Sequence, residues 1–460
     1  MLYNDIYIYI YMIIKINNKN NPVIVERSNA LTGTIDTPSD KSISHRALIL
    51  GMLCIGETKI HNLLLSEDIK STISALEQFG ANINVQEQPN ITSVYGIGIG
   101  GLLQPKRKIY LGNSGTSVRL LIGLMSSCDV CAEFEGDSSL SRRPMGRVLE
   151  PLKEMGLEIM SDDTEHLPLK LQGTAYPIPI NHILKVPSAQ IKSALMLAAL
   201  NIRGSSIIIE TTKTRDHTEK LFEYFGADIQ TRINDAGHKE IKINGQKRLS
   251  PSQIDIPGDP SSAAFFIVAA LISKGSKLSI KNVMINPTRS LFIDYLISMG
   301  AKIDFTKKYT KCGEEVSDID VSASELKGIT TSLEDAPSII DEFLILSVAA
   351  AYAKGDSRFC GVSELKVKES NRLDAIINML TSSGVKCEMD NDDLIIHGNG
   401  EVPGGSNIKS NYDHRVAMSA LILGLATKKP VRIDDVSPIP TSFPNFMEIY
   451  HRIGGNSYSG

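Results

Sequence analysis

No charge of one sign dominates this chain: 48 lysines and arginines stand against 52 aspartates and glutamates, a formal net charge of −4. That balance excludes a nucleic-acid coat and a polybasic membrane binder, both of which need a broad cationic surface. Any basic site must be local. Cysteine is scarce as well. Cys54, Cys128, Cys131, Cys312, Cys360 and Cys387 are scattered without a framework, which excludes a disulfide-stapled scaffold and suits a reducing, cytoplasmic setting. The pair Cys128-x-x-Cys131 lacks a second pair or a nearby histidine, so two small apolar residues around a helix-to-strand loop are expected there, not a zinc or redox centre. The apolar N-terminal run "IYIYIYMIIK", Ile6 to Lys15, is shorter than the ~20 residues a membrane span needs. It also lacks the basic flank and cleavage site of a signal peptide and the Arg/Ser bias of a transit peptide. Residues 1–21 are therefore expected to be a poorly ordered extension or an over-called start, with Met12 as the alternative initiator.

What the chain does have is length and repetition. Its 460 residues suffice for two or more domains, each with its own core. Stretches such as "IKSTISALEQFGANI", "TEKLFEYFGADI" and "RSLFIDYLISMGAKI" share one plan: an amphipathic helix, a glycine, then an alternating strand. The glycines are Gly80, Gly156, Gly226, Gly300, Gly384 and Gly454, spaced 76, 70, 74, 84 and 70 apart. Glycine suits that place because the residue after a helix often turns left-handed. A second helix recurs in phase and is almost wholly apolar, as in "AAFFIVAALISKG" and "EFLILSVAAAYAKG". A helix apolar on every face must be buried on every face. The pattern predicts six copies of a unit with one surface helix, one buried helix and several strands. Units of this length exclude a Rossmann sheet and a (β/α)8 barrel. "GIGIGG" (96–101) formally matches a dinucleotide fingerprint, but a proline and a strand follow it and no acidic residue lies some twenty positions on, so a glycine-rich strand and turn is expected.

Each buried helix is preceded by a polar, cap-rich stretch: "PSDKSISHR", "LGNSGTSVR", "VPSAQIKS", "GDPSSAA", "SIIDEF" and "NYDHR". Ordinary capping explains Ser261 and Ser262. It does not explain Lys41, Arg46, Arg119 and Arg415, cations in or beside helix first turns where the dipole disfavours them. Cations there make sense if the helix starts converge on bound anions.

Eleven stretches in order, from "DKSISHRA" (40–47), "LGNSGTSVRLL" (111–121) and "RRPMGRVLEPL" (142–152) through "VPSAQIKSALMLAAL" (186–200), "TRDHTEKL" (214–221), "GDPSSAAFF" (258–266) and "NPTR" (286–289) to "IDEFLILSVAAAYAKG" (340–355), "VKESNRL" (367–373), "YDHRVAMS" (412–419) and "TSFPNF" (441–446), give the chain a specific resemblance. From about Val23 to its end it resembles the enolpyruvyl transferases, and within them the branch acting on shikimate 3-phosphate. The resemblance implies an α/β, two-domain fold, an inside-out α/β barrel of six βαβαββ repeats, three per domain. The expected halves are 39–257, and 22–38 with 258–460, and the active site lies in the cleft between them. The implied reaction moves the enolpyruvyl group of phosphoenolpyruvate to the 5-hydroxyl of shikimate 3-phosphate and releases phosphate, a step toward chorismate and the aromatic amino acids. It implies no cofactor, no metal, no nucleic acid and no membrane, and a monomer is expected.

By motif match, Lys41, Ser42, Arg46, Ser188, Gln190, Asp341 and Lys368 resemble the shikimate 3-phosphate contacts. Lys41, Gly115, Arg143, Gln190, Arg372 and Arg415 resemble the phosphoenolpyruvate contacts, flanked by Asn113 and Thr116. Arginine suits the task because its planar fork grips carboxylate or phosphate bidentately. Asp341 matches the base near the 5-hydroxyl; Glu369 and Lys41 match the groups beside the vinyl carbon. His45, His217 and His414 are expected to support the site without acting in it. Ala189, Ser442 and the "TRDH" stretch depart from the family pattern, and Arg215 is a candidate replacement phosphate contact. Gly115 leaves room beside phosphoenolpyruvate, which implies inhibition by glyphosate. Two rivals remain: the sister enzyme using UDP-N-acetylglucosamine, which usually carries a cysteine where this chain has "GDSSLSRRP", and a non-catalytic phospho-ligand sensor.

Overall fold

The computed structural model describes residues 21–460. Expectations for residues 1–20, Met12 included, lie outside the described residues. The six-unit plan is present. Buried helices span Lys41–Leu53, Gly115–Ser126, Ala189–Ala199, Pro260–Ile272, Phe343–Ala351 and His414–Gly424, here the first to sixth buried helices. Surface helices span Glu67–Gln78, Gly146–Glu154, His217–Tyr224, Pro287–Ser298, Arg372–Ser382 and Phe446–Arg452. All six glycines of the repeat adopt positive φ, between 78° and 111°.

Each unit carries its own small sheet, five of four strands and one of three. A second set of glycines explains how helix and sheet meet. A β-carbon on Gly96 would lie 2.3 Å from the carbonyl oxygens of Gly51 and Cys54, at the end of the first buried helix. Gly173, Gly245 and Gly398 meet the ends of the second, third and fifth buried helices in the same way. Only glycine lets a strand cross a helix end that closely. "GIGIGG" accordingly forms the end of the strand Ile91–Ile97 and a turn.

The buried helices are encased as their composition requires. Every residue of Phe343–Ala351, and Pro260 through Leu271, is buried. At ~2 kcal/mol per buried Leu or Phe, these helices supply much of the driving force for folding. They build two hydrophobic cores. One gathers apolar residues from Ile43 to Ile256 with Met284 and Cys312, the other from Val23 to Ile35 and from Ala263 to Ile453. The strand Val23–Val25 pairs with Val431–Ile433 and Ser457–Ser459, so the start of the described chain completes the sixth sheet. Thr32–Asp36 joins the fourth, parallel to Lys277–Met284.

The chain passes between the cores twice, and the two passages lie side by side. Ser39 forms an antiparallel bridge with Gly258. Asp40 N–H donates to the Pro257 carbonyl at 2.7 Å and Asp259 N–H to the Pro38 carbonyl at 2.8 Å. A β-carbon at Gly258 would sit 2.2 Å from the Asn282 carbonyl oxygen, so the crossing excludes any larger residue. All six cysteines are free, with Cys128 buried past the second buried helix and Cys131 opening the next strand.

Candidate active site

Caps bring the site residues to the starts of the buried helices. Asp40, Ser114, Ser188, Asp259 and Asp413 each accept a backbone N–H of the first turn through their side chains. The residues just after these caps include Lys41, Ser42, Gly115, Gln190 and Arg415, so the capping chemistry sets where the candidate ligand-binding groups begin.

Three guanidiniums on the side of the first core have no carboxylate within ion-pair distance among the described residues. Arg46 donates from Nε to Thr218 Oγ1 at 2.7 Å, from Nη1 to the Ser42 carbonyl at 2.9 Å and from Nη2 to Ser193 Oγ at 2.8 Å. Arg143 donates to the carbonyl and the side-chain oxygen of Asn113 and to Ser139 Oγ. Arg119 donates from Nη1 to the Gly115 carbonyl at 3.1 Å and to Gln190 Oε1 at 3.0 Å. Burial lowers Arg46 to about 10; burial, and then the neighbouring Arg143, lowers Arg119 to about 10. Cations held by neutral partners in a low-dielectric setting are poised for an external anion. Gln190 also donates to Thr116 Oγ1 at 3.0 Å, which ties the second and third helix starts together.

The opposite side is a carboxylate–cation network. Asp341 meets Arg215 Nη2 at 2.6 Å, Arg372 Nη1 at 3.2 Å and Lys368 Nζ at 3.5 Å, and its carbonyl accepts from Arg415 Nη1 at 2.8 Å. Arg372, 1% exposed, also binds Glu369 at 2.6 Å and Asp413 at 2.8 Å. Burial pushes the Asp341 carboxyl up, but Lys368, Arg215, Arg415 and Arg372 outweigh it and hold the group well below the usual carboxylate range. Glu369 follows the same logic, with Arg372 and then Arg143 overcoming burial and the repulsion of Asp341. Both are ionised at neutral pH.

The two sides touch directly. Arg215 reaches Asp341, and Ser139 Oγ donates to the Glu369 carbonyl at 3.1 Å. Lys41 sits apart from the Asp341 network, bound to Asp68 at 3.1 Å. Burial, then Lys41, lowers His45 well below the histidine range and brings His414 to about 3, so neither exchanges protons near neutrality. His217 is 1% exposed, bound to Glu314 through Nδ1 at 2.7 Å. Asp216, His217 and Glu314 have metal-ligand spacing, but Lys220 Nζ lies 2.7 Å from Glu314 Oε2 and Asn286 Nδ2 donates to both Asp216 and Glu314. A lysine occupies the cation's role there.

The structure thus joins Asp341, Lys368, Glu369, Arg372 and Arg415 in one network. Gly115, Arg143 and Gln190 form a second group; Ser42 and Arg46 are bonded to each other, and Ser188 caps the helix bearing Gln190. Sequence reasoning singled out Arg119 as a cation that capping does not explain, but assigned it no ligand contact. Asp68, Glu342 and Asp413 were also missed, because an acid at a helix start reads as a cap.

Residues 25–450 match the family model of EPSP synthase (3-phosphoshikimate 1-carboxyvinyltransferase). The 3-phosphoshikimate 1-carboxyvinyltransferase of Cereibacter sphaeroides is 46% identical over 439 residues, covering 95% of this chain and 98% of the relative. That of Nitrobacter winogradskyi is 44% identical over 445 residues, covering 96% and 99%. Among solved structures, EPSP synthase from Acinetobacter baumannii superposes with a TM-score of 0.84 at 36% identity, covering 95% of this chain and 99% of that one. The enolpyruvyl transferase NikO from Streptomyces tendae, at 16% identity, shares the fold with a TM-score of 0.73 over 96% and 99% of the two chains. On this evidence the architecture of six units is the enolpyruvyl transferase fold, and the chain belongs to the EPSP synthase family.

Proposed function

We propose that the cleft between the two cores carries out the 3-phosphoshikimate 1-carboxyvinyltransferase reaction, with 39–257 as one domain and 22–38 with 258–460 as the other. The observation that supports this most is the division of labour across the cleft. Arg46, Arg119 and Arg143, with no carboxylate at ion-pair distance among the described residues, suit phosphates and carboxylates, and ionised Asp341 and Glu369 suit proton transfer.

Lys41, Ser42, Arg46, Ser188, Gln190 and Lys368 hold shikimate 3-phosphate in this reading, with Asp341 at its 5-hydroxyl. Arg143, Gly115, Gln190, Arg372, Arg415 and Lys41 hold phosphoenolpyruvate. Asp341 takes the hydroxyl proton as the oxygen bonds to the central carbon of phosphoenolpyruvate. Lys41, which reaches both substrates in this reading, protonates the methylene. In the second half of the reaction ionised Glu369 removes a methyl proton while phosphate leaves with the proton held by Asp341. Glu369 then loses that proton to solvent and Lys41 regains one from it, which restores both groups.

Among the described residues no helix is long and apolar enough to cross a membrane. One chain supplies both sides of the cleft, and six free cysteines fit a reducing compartment; we take the protein to act as a cytoplasmic monomer. The test is phosphate release on mixing with phosphoenolpyruvate and shikimate 3-phosphate, with UDP-N-acetylglucosamine as the alternative acceptor. Release with shikimate 3-phosphate alone is expected. Release only with UDP-N-acetylglucosamine, or with neither acceptor, would overturn the reading in favour of the sister activity or of a sensor.

A further inference from the structure

Arg289 ends the "NPTR" stretch, and nothing above uses it. It lies in the first turn of Pro287–Ser298, is 2% exposed, and spreads its guanidinium over three segments. Nη1 meets Asp40 Oδ2 at 2.9 Å and Nη2 meets Asp259 Oδ1 at 3.0 Å. Those carboxylates cap the first and fourth buried helices: Asp40 Oδ1 accepts from Ile43 N–H at 2.7 Å, and Asp259 Oδ1 from Ser261 N–H at 2.8 Å. The two helices belong to different cores. One side chain therefore locks two helix starts together where the chain crosses between cores.

Each of its bonds leads toward the cleft. Asp40 directly precedes Lys41 and Ser42. Arg289 Nη1 also donates to His217 Nε2 at 3.1 Å, and His217 lies two residues after Arg215, the partner of Asp341. Nη2 donates to Ser261 Oγ at 3.0 Å, Ser261 Oγ donates to Glu342 Oε1, and that oxygen lies 3.4 Å from Arg415 Nη1, which holds the Asp341 carbonyl. A continuous buried path thus joins the Lys41 turn to the Asp341–Glu342 turn.

We propose that Arg289 is a positioning residue that sets the register between the two sides of the cleft, with Ser261 as its link to Glu342 and Arg415. The inference rests on the reaction assigned above. A planar fork is needed because the acceptors diverge, and a lysine ammonium cannot reproduce that geometry. Displacing reacting groups by about 1 Å costs on the order of 100-fold in rate.

The experiment compares Arg289→Lys and Ser261→Ala with the unaltered chain, by kcat with both substrates and by melting temperature. Arg289→Lys is expected to lower kcat about 100-fold and Ser261→Ala about tenfold, with the melting temperature of Ser261→Ala nearly unchanged. Ser261→Ala leaves both carboxylate pairs of Arg289 intact, so it decides the matter if Arg289→Lys does not fold. Full kcat in Ser261→Ala, or a lowered melting temperature with unaltered kcat per folded enzyme, would overturn the proposal. Failure of the unaltered chain to release phosphate would instead overturn the reaction on which it rests.

Discussion

Arg215 Nη2 lies 2.6 Å from Asp341 Oδ2, an ion pair that joins the two sides of the candidate site. The pair has a direct kinetic consequence. Asp341 is held ionised below the usual carboxylate range in part by Arg215, so the proposed base persists as pH falls. Arg215→Gln removes one of four cations and lets the carboxyl rise. The acid limb of the kcat/KM profile should shift to higher pH, with turnover at neutral pH within about tenfold of the original. An acid limb that stays in place would count against Asp341 as the base.

Asp341→Ala should leave shikimate 3-phosphate bound through Lys41, Arg46 and Lys368 while turnover drops by roughly 10²–10⁴. Isothermal calorimetry and phosphate release, run in parallel, separate the two effects. Undiminished turnover would remove Asp341 from the mechanism.

Glu369→Gln keeps size and shape and removes the proposed acceptor for the methyl proton. Addition should proceed and elimination should stall, so rapid quenching should show a tetrahedral adduct building up to about one equivalent per enzyme. Normal steady turnover without accumulation would assign that proton to another group.

A β-carbon at Gly115 would stand 2.9 Å from Arg119 Nη1 and 3.0 Å from Arg143 Nη1. These are the far ends of flexible side chains, so Gly115→Ala should fold normally and displace both guanidiniums. The KM for phosphoenolpyruvate should rise about tenfold, with the KM for shikimate 3-phosphate little changed. Equal effects on both substrates would place phosphoenolpyruvate elsewhere.

Asp341, Glu369 and Asp413 all have lowered carboxyl pKa values in the folded protein. Their contribution to stability is present above the unfolded carboxylate range and is lost as pH falls through the lower folded values. Arg372 binds all three. Arg372→Met strands them and should cost about 3–5 kcal/mol near neutrality, with a smaller penalty below about pH 4. Denaturant melts at two pH values test the difference.

Much of the architecture was legible in the residues because its signals are local. Apolar runs mark the buried helices, and capping residues mark their starts. Glycines such as Gly80 and Gly300 mark where helices end, since a left-handed turn penalises a β-carbon whatever the rest of the fold does. Gly96, Gly173, Gly245 and Gly398 were not legible. They answer to a helix end that crosses from another part of the chain, and no local pattern announces such an approach. The strand Val23–Val25 likewise shows no sign of its partners at Val431–Ile433.

The sequence by itself determined the units, the caps and the set of cations near the helix starts. Tertiary structure decided what each cation does. Among the described residues Arg46, Arg119 and Arg143 have no carboxylate within ion-pair distance, Arg372 is shared by three, Lys41 is bound to Asp68, and Arg289 fastens two helix starts. The physical reason is that an ion's role depends on the charges within a few ångströms of it. Those charges come from segments as far apart as Asp40 and Arg289, which only the folded chain brings together.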